Sequence, residues 1–479
     1  MRHSLFRTKP LAELLSDTAV EGRSLKKTLR VWDLIALGIG CIIGVGIFVL
    51  PGVEAAKHAG PGIILSFAIA GIACACSALC YAELAAMIPV AGSAYTYGYA
   101  TLGELPGWII GWDLILEYMV AACLVSIGWS AYFANLFNNL LRPWGIALPA
   151  GAVNAPVDWS DTLHKFVSTG AIVNVPAIFI IGLLTFLLIR GIKESSRVNL
   201  IIVIVKITVI VFFIVLAVWY VKPSNWQPFM PFGFGGVMTA AAIVFLAFVG
   251  FDAVSTAAEE AVNPQRDMPI GIMGSLVVAT VLYMSVSAIM TGVVPYQKLG
   301  VPDPVALVLN ELNMPWASMI VSLGAIAGIT SVLLVLLLGQ PRILFAMSRD
   351  GLLPPFLAKI HKKYQTPHVT TLFTGLIVAV ASALLPIRVV AELCSIGTLF
   401  AFIIVCAGVI VLRYSRPDIH RPFKVPLFPV LPSAGALLCG VLMANLPKTA
   451  WERFLIWLAI GLTIFFFYGR KHSRLAKKA

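Results

Sequence analysis

Twelve apolar stretches, each of about 20 residues, recur along the chain and constrain its fold more than any other feature. A helix needs about 20 apolar residues to cross the hydrocarbon core of a bilayer. Only 12% of the residues are charged, whereas soluble domains carry about 25%. The sequence therefore predicts an all-α polytopic membrane protein. Its predicted spans are residues 32–56, 62–88, 104–138, 170–190, 196–221, 236–261, 268–294, 314–341, 368–386, 389–412, 426–446 and 453–470.

The distribution of lysine and arginine predicts how the spans are oriented. With the N-terminus inside, the cytoplasmic tails and loops hold 25 of the 34 basic residues, and the outer loops hold eight. The remaining one, Lys206, falls within a span. We therefore expect both tails, residues 1–31 and 471–479, in the cytoplasm. The net charge of +12 then faces anionic membrane lipid, and no nucleic-acid partner is expected.

Motifs of enzymes and metal proteins are missing from the sequence. It has no phosphate-binding Walker loop, no HExxH, no GxSxG and no regular arginine series of a voltage sensor. The eight cysteines lie in apolar stretches, where packing is favoured over metal binding or a disulfide framework. The seven histidines lie in loops or at the edges of spans. We therefore expect no enzyme, no metal site and no cofactor other than a coupling ion.

Glycines are concentrated in span 1, where residues 38–48 read GIGCIIGVGIF. A glycine in a helix interior costs about 1 kcal/mol relative to alanine. Gly40 and Gly44 form a GxxxG pair, which allows close helix packing. The alternative is a broken helix that offers its amides to a carboxylate and its carbonyls to an ammonium. Unwound backbone is tolerated in a membrane only where it lines a cavity or is buried in protein.

Span 6 contains a second interruption, at Gly250 and Asp252. Interrupted segments at corresponding places in two halves indicate an inverted-repeat transporter, so this second site favours the broken helix in span 1. Two half-helix ends also offer opposite partial charges, which suits a zwitterion. The predicted organisation is a first repeat over residues 32–221 and a second over 222–412, with two extra spans in 413–470.

Lys206 lies deep in span 5, within the apolar run NLIIVIVKITVIVFFIVL. An ionisable group inside a membrane indicates function, and a desolvated lysine gives up its proton readily. A proton carrier is favoured over a fixed structural cation or a lysine that snorkels to the surface. We expect its ammonium to contact carbonyls of span 1 and the hydroxyls of Thr330 and Ser331 on span 8.

Acidic residues within the predicted spans include Asp113, Glu117, Asp252 and Glu392. Asp113 and Glu392 can be near the membrane interface, and a structural role is favoured for both. Glu117 and Asp252 lie deeper. For these two, the sequence leaves two roles open, which are neutralisation of a cationic substrate and participation in a proton-carrying water network.

Several long motifs, in order along the chain, resemble the amino acid–polyamine–organocation superfamily. Within it they are most similar to the bacterial branch of the cationic amino acid transporter family. The resemblance covers about residues 25–470. It implies the leucine-transporter fold, with alternating access and proton-coupled uptake of an L-amino acid across the bacterial cell membrane. The motifs are GIGCIIGVGIF at 38–48 with HAGPG at 58–62, CYAELAAMIPVAGSAYTYGY at 80–99, GFDAVSTAAEEAVNPQRDMPIGI at 250–272 and GQPRILFAMSRDGLLPP at 339–355.

The resemblance also implies roles for individual residues. Backbone amides that bind the substrate carboxylate are those of Ile43, Gly44, Val45 and Gly46. Backbone carbonyls that bind its amino group are those of Ile42, Leu246, Ala247 and Val249. The side chains that border or gate the pocket are Phe248 and Phe251, and those that select the substrate are Ile329, Val332 and Leu336. Lys206 matches the lysine that couples transport to protons.

The selecting side chains are bulky and apolar, which favours a small or neutral substrate such as alanine. A cationic amino acid is the close alternative. Exchange of amino acids or polyamines without net proton coupling also stays open. A channel is disfavoured because no repeated filter motif is present, and a nutrient sensor because the tails are short. The resemblance leaves open whether a small single-span membrane subunit associates.

Overall fold

The computed structural model describes residue 7 and residues 29–87, 95, 98–99, 102–160, 165–191, 196–251, 254, 261–364 and 366–477. Seven helical segments are long and apolar enough to cross a membrane, and five further apolar helices are shorter. The chain is therefore an all-helical, multi-pass membrane protein with at least seven candidate spans. The helices are α1 Val31–Ile42, α2 Val45–Phe48, α3 Leu50–Glu54, α4 Ile63–Met87, α5 Glu104–Leu141, α6 Val175–Ile189, α7 Ser196–Ala217, α8 Gly233–Val244, α9 Pro264–Val293, α10 Pro304–Glu311, α11 Pro315–Arg349, α12 His368–Leu384, α13 Ile387–Ser415, α14 Val430–Ala444, α15 Lys448–Ile464, α16 Arg470–His472 and α17 Arg474–Lys477.

The segment between α5 and α6 contains a small antiparallel hairpin that the sequence did not predict. Its strands are β1 Val157–Ser160 and β2 Lys165–Ser168, and Val157 pairs with Ser168. The helix that follows begins at Val175, later than the predicted start at residue 170. The reason is local, because Asn174 accepts a hydrogen bond from the Ala177 amide at 3.3 Å and thereby caps the first turn.

Burial separates central helices from peripheral ones. In α5, 89% of the most apolar window is buried by other parts of the protein, against 33% for Leu200–Tyr220 and 22% for Lys448–His472. Apolar side chains on the last two segments therefore face the surroundings, as lipid-facing side chains do. Helix α5 packs lengthwise on α11 and also contacts α12, α13 and α15. It forms the central wall on which the candidate site is built.

The end of α4 that is predicted to be cytoplasmic is tied to α13 by a buried ion-pair network. Glu83 is 1% exposed and accepts hydrogen bonds from both Arg413 Nε, at 3.0 Å, and Arg413 Nη2. The Val425 amide donates to the same carboxylate at 2.7 Å, and Arg421 lies 3.5 Å away. A buried charge needs such partners because removal from water is costly. The network therefore fixes the relative position of α4, α13 and the segment that precedes α14.

All eight cysteines are free thiols, and seven of them are buried. Each lies within a helix, and within the described ranges no three histidine, cysteine or acidic side chains come close enough to hold a metal ion. The thiols fill space between helices, as small apolar side chains do.

Candidate functional site

The glycine-rich stretch of span 1 is a broken helix. Helix α1 ends at Ile42, Ile43 adopts an extended conformation (φ −78°, ψ 105°), and α2 restarts at Val45 after Gly44. The first amides of a restarting helix and the last carbonyls of an ending one have no partners within the helix. Of the two interpretations that the sequence left open, the broken helix is therefore the one that the structure shows, although the glycines also serve packing.

Close contacts explain why glycines occupy this stretch. A Cβ atom added to Gly46 would lie 2.6 Å from the Ala247 Cβ and 2.8 Å from the Ala247 Cα. A Cβ added to Gly44 would lie 3.0 Å from a Val332 methyl group, and one added to Gly38 would lie 2.4 Å from the Ser275 hydroxyl. The absence of side chains thus lets the broken helix approach three neighbouring segments.

The second interruption lies directly against the first. Helix α8 ends at Val244, a 3-10 turn covers Phe245–Phe248, and Val249 is extended (ψ 135°). Gly250 has φ +118°, and a Cβ there would lie 2.8 Å from the backbone of Cys41. Both the backbone conformation and this close approach require glycine. Asp252, also predicted for this site, lies outside the described residues.

Lys206 of α7 binds the end of α1. The side chain is completely buried, and its Nζ donates hydrogen bonds to the carbonyls of Gly40 at 2.5 Å and Ile43 at 2.9 Å. The expected contact with span 1 carbonyls is therefore present. Hydrogen bonds to a charged donor are about twice as strong as neutral ones, so a protonated Lys206 holds the broken end in place.

The expected hydroxyl partners of Lys206 make other hydrogen bonds. Thr330 accepts from the Trp129 indole at 2.9 Å and donates to the Ile326 carbonyl at 2.6 Å. Ser331 donates to the Gly328 carbonyl at 2.8 Å, which is a bond within its own helix. Helix α11 instead meets the aliphatic stem of the lysine at Gly328. Proton coupling through these two hydroxyls stays a prediction.

A residue that the sequence analysis missed joins the two interruptions. The Tyr283 hydroxyl of α9 lies 2.9 Å from the Ile42 carbonyl oxygen and 2.7 Å from that of Ala247. It has one proton to donate, so it satisfies one of the two carbonyls at a time. The signal in the sequence was a single tyrosine in the middle of an apolar span, and its buried hydroxyl needed a partner.

A small cavity lies between the interruptions, α5 and α11. Its volume is about 40 Å³, roughly three times the minimum cavity volume that holds one water molecule. Its walls carry no charged side chain among the residues that the structure describes. They are formed by Cys41, Ile42, Gly44, Val45, Gly46, Tyr118, Ala121, Leu124, Val125, Leu246, Ala247, Val249, Gly250, Val332, Val335 and Leu336.

Nine of the predicted site residues are in that wall, and Ile43, Phe248, Phe251 and Ile329 are not. Phe248 instead packs against the Phe67 and Tyr283 rings, and Phe251 against Tyr81 and Phe402. The expectation that these two phenylalanines border the pocket is therefore wrong for this conformation. The 3-10 turn at Phe245–Phe248 and the extended Val249 set the direction of these side chains, and both rings join aromatic clusters away from the cavity.

The two acidic residues that were expected near the interface have different surroundings in the structure. Glu392 is paired with Arg388 at 3.0 Å and Arg453 at 3.2 Å, which agrees with a structural role. Asp113 is 1% exposed and packs beside Gly397 of α13, so the near-interface position is wrong for this residue. Glu117 is also 1% exposed, and the Cys394 thiol donates to its backbone carbonyl at 3.8 Å.

Sequence comparisons relate the chain to known proteins. Residues 29–468 match the amino acid permease family. The branched-chain amino acid permease BcaP of Bacillus subtilis (strain 168) is 52% identical over 476 residues, which cover 99% of this chain and 100% of that protein. The methylthioribose transporter of the same organism is 48% identical over 474 residues, 99% of this chain and 100% of the relative. The vacuolar cationic amino acid transporter 4 of Arabidopsis thaliana is 39% identical over 400 residues, 82% of this chain and 64% of that protein.

Proposed function

The chain belongs to the amino acid permease family, and from this premise we propose that it takes up neutral L-amino acids together with protons across the bacterial cell membrane. The observation that carries the proposal is the broken helix at Ile43 and Gly44. It opens into an apolar cavity on one side and is held by the Lys206 ammonium on the other. The proton is proposed as the coupling ion, without a further cofactor.

The walls of the cavity support a neutral substrate. Val332, Val335 and Leu336 of α11 face Ala121, Leu124 and Val125 of α5 around the breaks. Burying the charged end of an arginine or lysine against such walls without a partner would be strongly unfavourable. Small and branched aliphatic side chains gain from the same burial. The relative named as a branched-chain amino acid permease points in the same direction.

The backbone of the breaks provides the polar contacts for the common part of an amino acid. In the proposed complex, amides of Gly44, Val45 and Gly46 bind the carboxylate, and carbonyls of Ile42 and Ala247 bind the ammonium group. Backbone groups contact every α-amino acid in the same way, so the aliphatic wall is left to select the side chain.

For the architecture we propose twelve spans with a leucine-transporter-type inverted repeat. The seven long candidate spans and the five shorter apolar helices supply the helices. Residues 32–221 would form the first repeat and 222–412 the second, each beginning with a broken helix. The direct contact of Gly46 with Ala247 and of Gly250 with Cys41 supports this pairing, because in such repeats the substrate site lies where the two breaks meet.

The experiment is uptake into liposomes that contain the purified protein. With an inward proton gradient we expect accumulation of leucine, isoleucine, valine or alanine that a protonophore abolishes. Arginine, lysine and methylthioribose serve as competitors to delimit the substrate class. Equal uptake with and without the gradient would leave an exchanger and contradict proton coupling.

Lys206→Ala tests the proposed coupling residue. We expect loss of gradient-driven accumulation because the ammonium that holds Gly40 and Ile43 is gone. Exchange of labelled for unlabelled substrate, which needs no net proton movement, should survive at a reduced rate. Accumulation by this variant at the wild-type level would show that another group couples transport to protons.

A further inference from the structure

Asp113 is a deeply buried carboxyl group that the proposed transport steps do not use. It is 1% exposed, and neither of its oxygens has a hydrogen-bond partner among the described residues. An ionised carboxylate in such surroundings is strongly disfavoured, and the group takes up a proton instead. In this conformation Asp113 is therefore expected to be the neutral acid.

Glu117 lies one helical turn further along α5, on the same face as Asp113. It is also 1% exposed, so it shares the poorly solvated surroundings of Asp113. Two carboxyl groups one helical turn apart in a poorly solvated site do not readily ionise together. Such a pair can share one proton and has one place left for a second.

The elements packed around α5 carry neutral groups, the paired Glu392 and two exposed arginines. On α13, the backbone at Gly397 approaches Asp113, Cys394 approaches Glu117, and Glu392 is engaged by two arginines. Helix α11 carries the buried Gln340 and the exposed Arg342 and Arg349. The remaining elements meet α5 at other residues through neutral groups: Ser382 of α12 with Ser126, Asn174 before α6 with Ser130, Trp457 of α15 with Trp112, and Val45 of α2 with Gly128.

The pair lies on α5 between the cavity and the end of the helix that is predicted to be cytoplasmic. Tyr118 directly follows Glu117 in the chain, and Ala121 lies one helical turn after it. Both residues form part of the cavity wall. Asp113 lies nine residues after Glu104, the first residue of α5, which corresponds to about 13 Å along the helix. The two carboxyl groups therefore occupy successive depths between the cavity and that end.

We propose that Asp113 and Glu117 form a carboxyl pair that takes up the co-transported proton near the substrate cavity and releases it toward the cytoplasm. This proposal rests on the proposed proton-coupled uptake. One proton enters the singly protonated pair and binds the ionised oxygen, and one proton leaves the pair in the next step, so the charge of the pair returns to its initial value. Glu117, nearer the cavity, receives the incoming proton, and Asp113, nearer the cytoplasmic end, releases the proton that the pair already held.

The experiment compares Asp113→Asn and Glu117→Gln with the wild type in liposomes. Each variant keeps the shape of the side chain and removes its titration. We expect gradient-driven accumulation of leucine to fall at least about tenfold, while exchange in the absence of a gradient falls no more than about threefold. The dependence of uptake on external pH should flatten in both variants, and Asp113→Glu, which restores a carboxyl group, should recover part of the accumulation.

Several outcomes overturn the proposal. Accumulation at the wild-type level in either carboxamide variant would show that the pair is not needed, and an equal loss of exchange and accumulation would show a purely structural role. If Asp113→Asn does not yield folded protein, the same comparison is made with Glu117→Gln, with Asp113→Glu as the variant that keeps both carboxyl groups, and an unchanged pH profile in Glu117→Gln overturns the proposal. Absence of proton-driven accumulation in the wild type itself would instead refute the proposed coupling.

Discussion

Substitution of Gly46 by alanine tests whether the two breaks touch as closely as the structure shows. The new Cβ would lie 2.6 Å from the Ala247 Cβ, 2.8 Å from its Cα and 3.2 Å from its carbonyl oxygen. Two of these atoms belong to backbone, so no side-chain rotation relieves the contact. Overpacking of this kind costs about 1–3 kcal/mol, and the higher helix propensity of alanine offsets up to about 1 kcal/mol. We expect a net loss of about 1–2 kcal/mol.

Thermal unfolding of the purified protein measures the effect. Entropies of unfolding scale with chain length, so for 479 residues 1 kcal/mol corresponds to about 1 °C. Gly440→Ala is the matched control, because a Cβ at this helical position meets no atom within 4 Å. The control should be neutral or slightly more stable than the wild type, which places the two variants about 1–3 °C apart.

The double variant Gly46→Ala with Ala247→Gly separates contact from other effects. Removal of the Ala247 Cβ eliminates the 2.6 Å contact and leaves the one at 2.8 Å, so we expect partial recovery. Because the Gly46 amide is proposed to bind the substrate carboxylate, KM for leucine should rise about fivefold for each 1 kcal/mol of lost binding. A Gly46→Ala protein with the melting temperature and KM of the control would refute the close packing of the two breaks.

Three further substitutions test the cavity wall, the tyrosine bridge and a buried carboxyl group outside the spans. Leu336→Ser enlarges the apolar wall, and we expect weaker competition by leucine and stronger competition by arginine or lysine; an unchanged profile would remove α11 from the selection of substrates. Tyr283→Phe leaves the Ile42 and Ala247 carbonyls without their donor, so the ligand-free protein should lose about 1–3 kcal/mol and leucine should raise its melting temperature more than in the wild type. Burial raises the pKa of Asp303, in the segment before α10, above its ordinary value. The folded state therefore binds this proton more tightly than the unfolded chain, so the contribution of Asp303 is present at low pH and is lost as pH rises from about 4 through the raised pKa. Asp303→Asn should remove that part of the decline in melting temperature, and an identical decline would contradict it.

The features that the sequence predicted correctly are those with a local physical cause. Four glycines within eleven residues weaken the helix of one span whatever its neighbours are. A lone lysine in an apolar run must find oxygen partners. Carbonyls freed by a break in a neighbouring span are the partners that such a lysine can reach. The break at Ile43 and Gly44 and the contact of Lys206 with span 1 followed from these constraints.

The predictions that were wrong concern residues whose positions depend on packing between distant segments. Phe248 and Phe251 were placed at the pocket from their positions in a motif, whereas the turn at Phe245–Phe248 directs both rings into aromatic clusters behind it. The near-interface position of Asp113 was predicted from its distance along the chain from the start of a span. Its burial by α13 was not visible in that distance, since it depends on which helix covers α5.

The hydrogen bonds of the broken helix explain how substrate and proton can influence each other in the proposed mechanism. The Gly40 and Ile43 carbonyls are held by Lys206, and the Ile42 carbonyl lies within reach of Tyr283. The amides proposed to bind the carboxylate begin at the next residue, Gly44. A loss of charge on the lysine weakens two bonds on one side of a single peptide segment, and a bound carboxylate adds bonds on the other. Each ligand therefore changes the backbone geometry that the other meets, which is the reciprocal dependence that coupled transport requires.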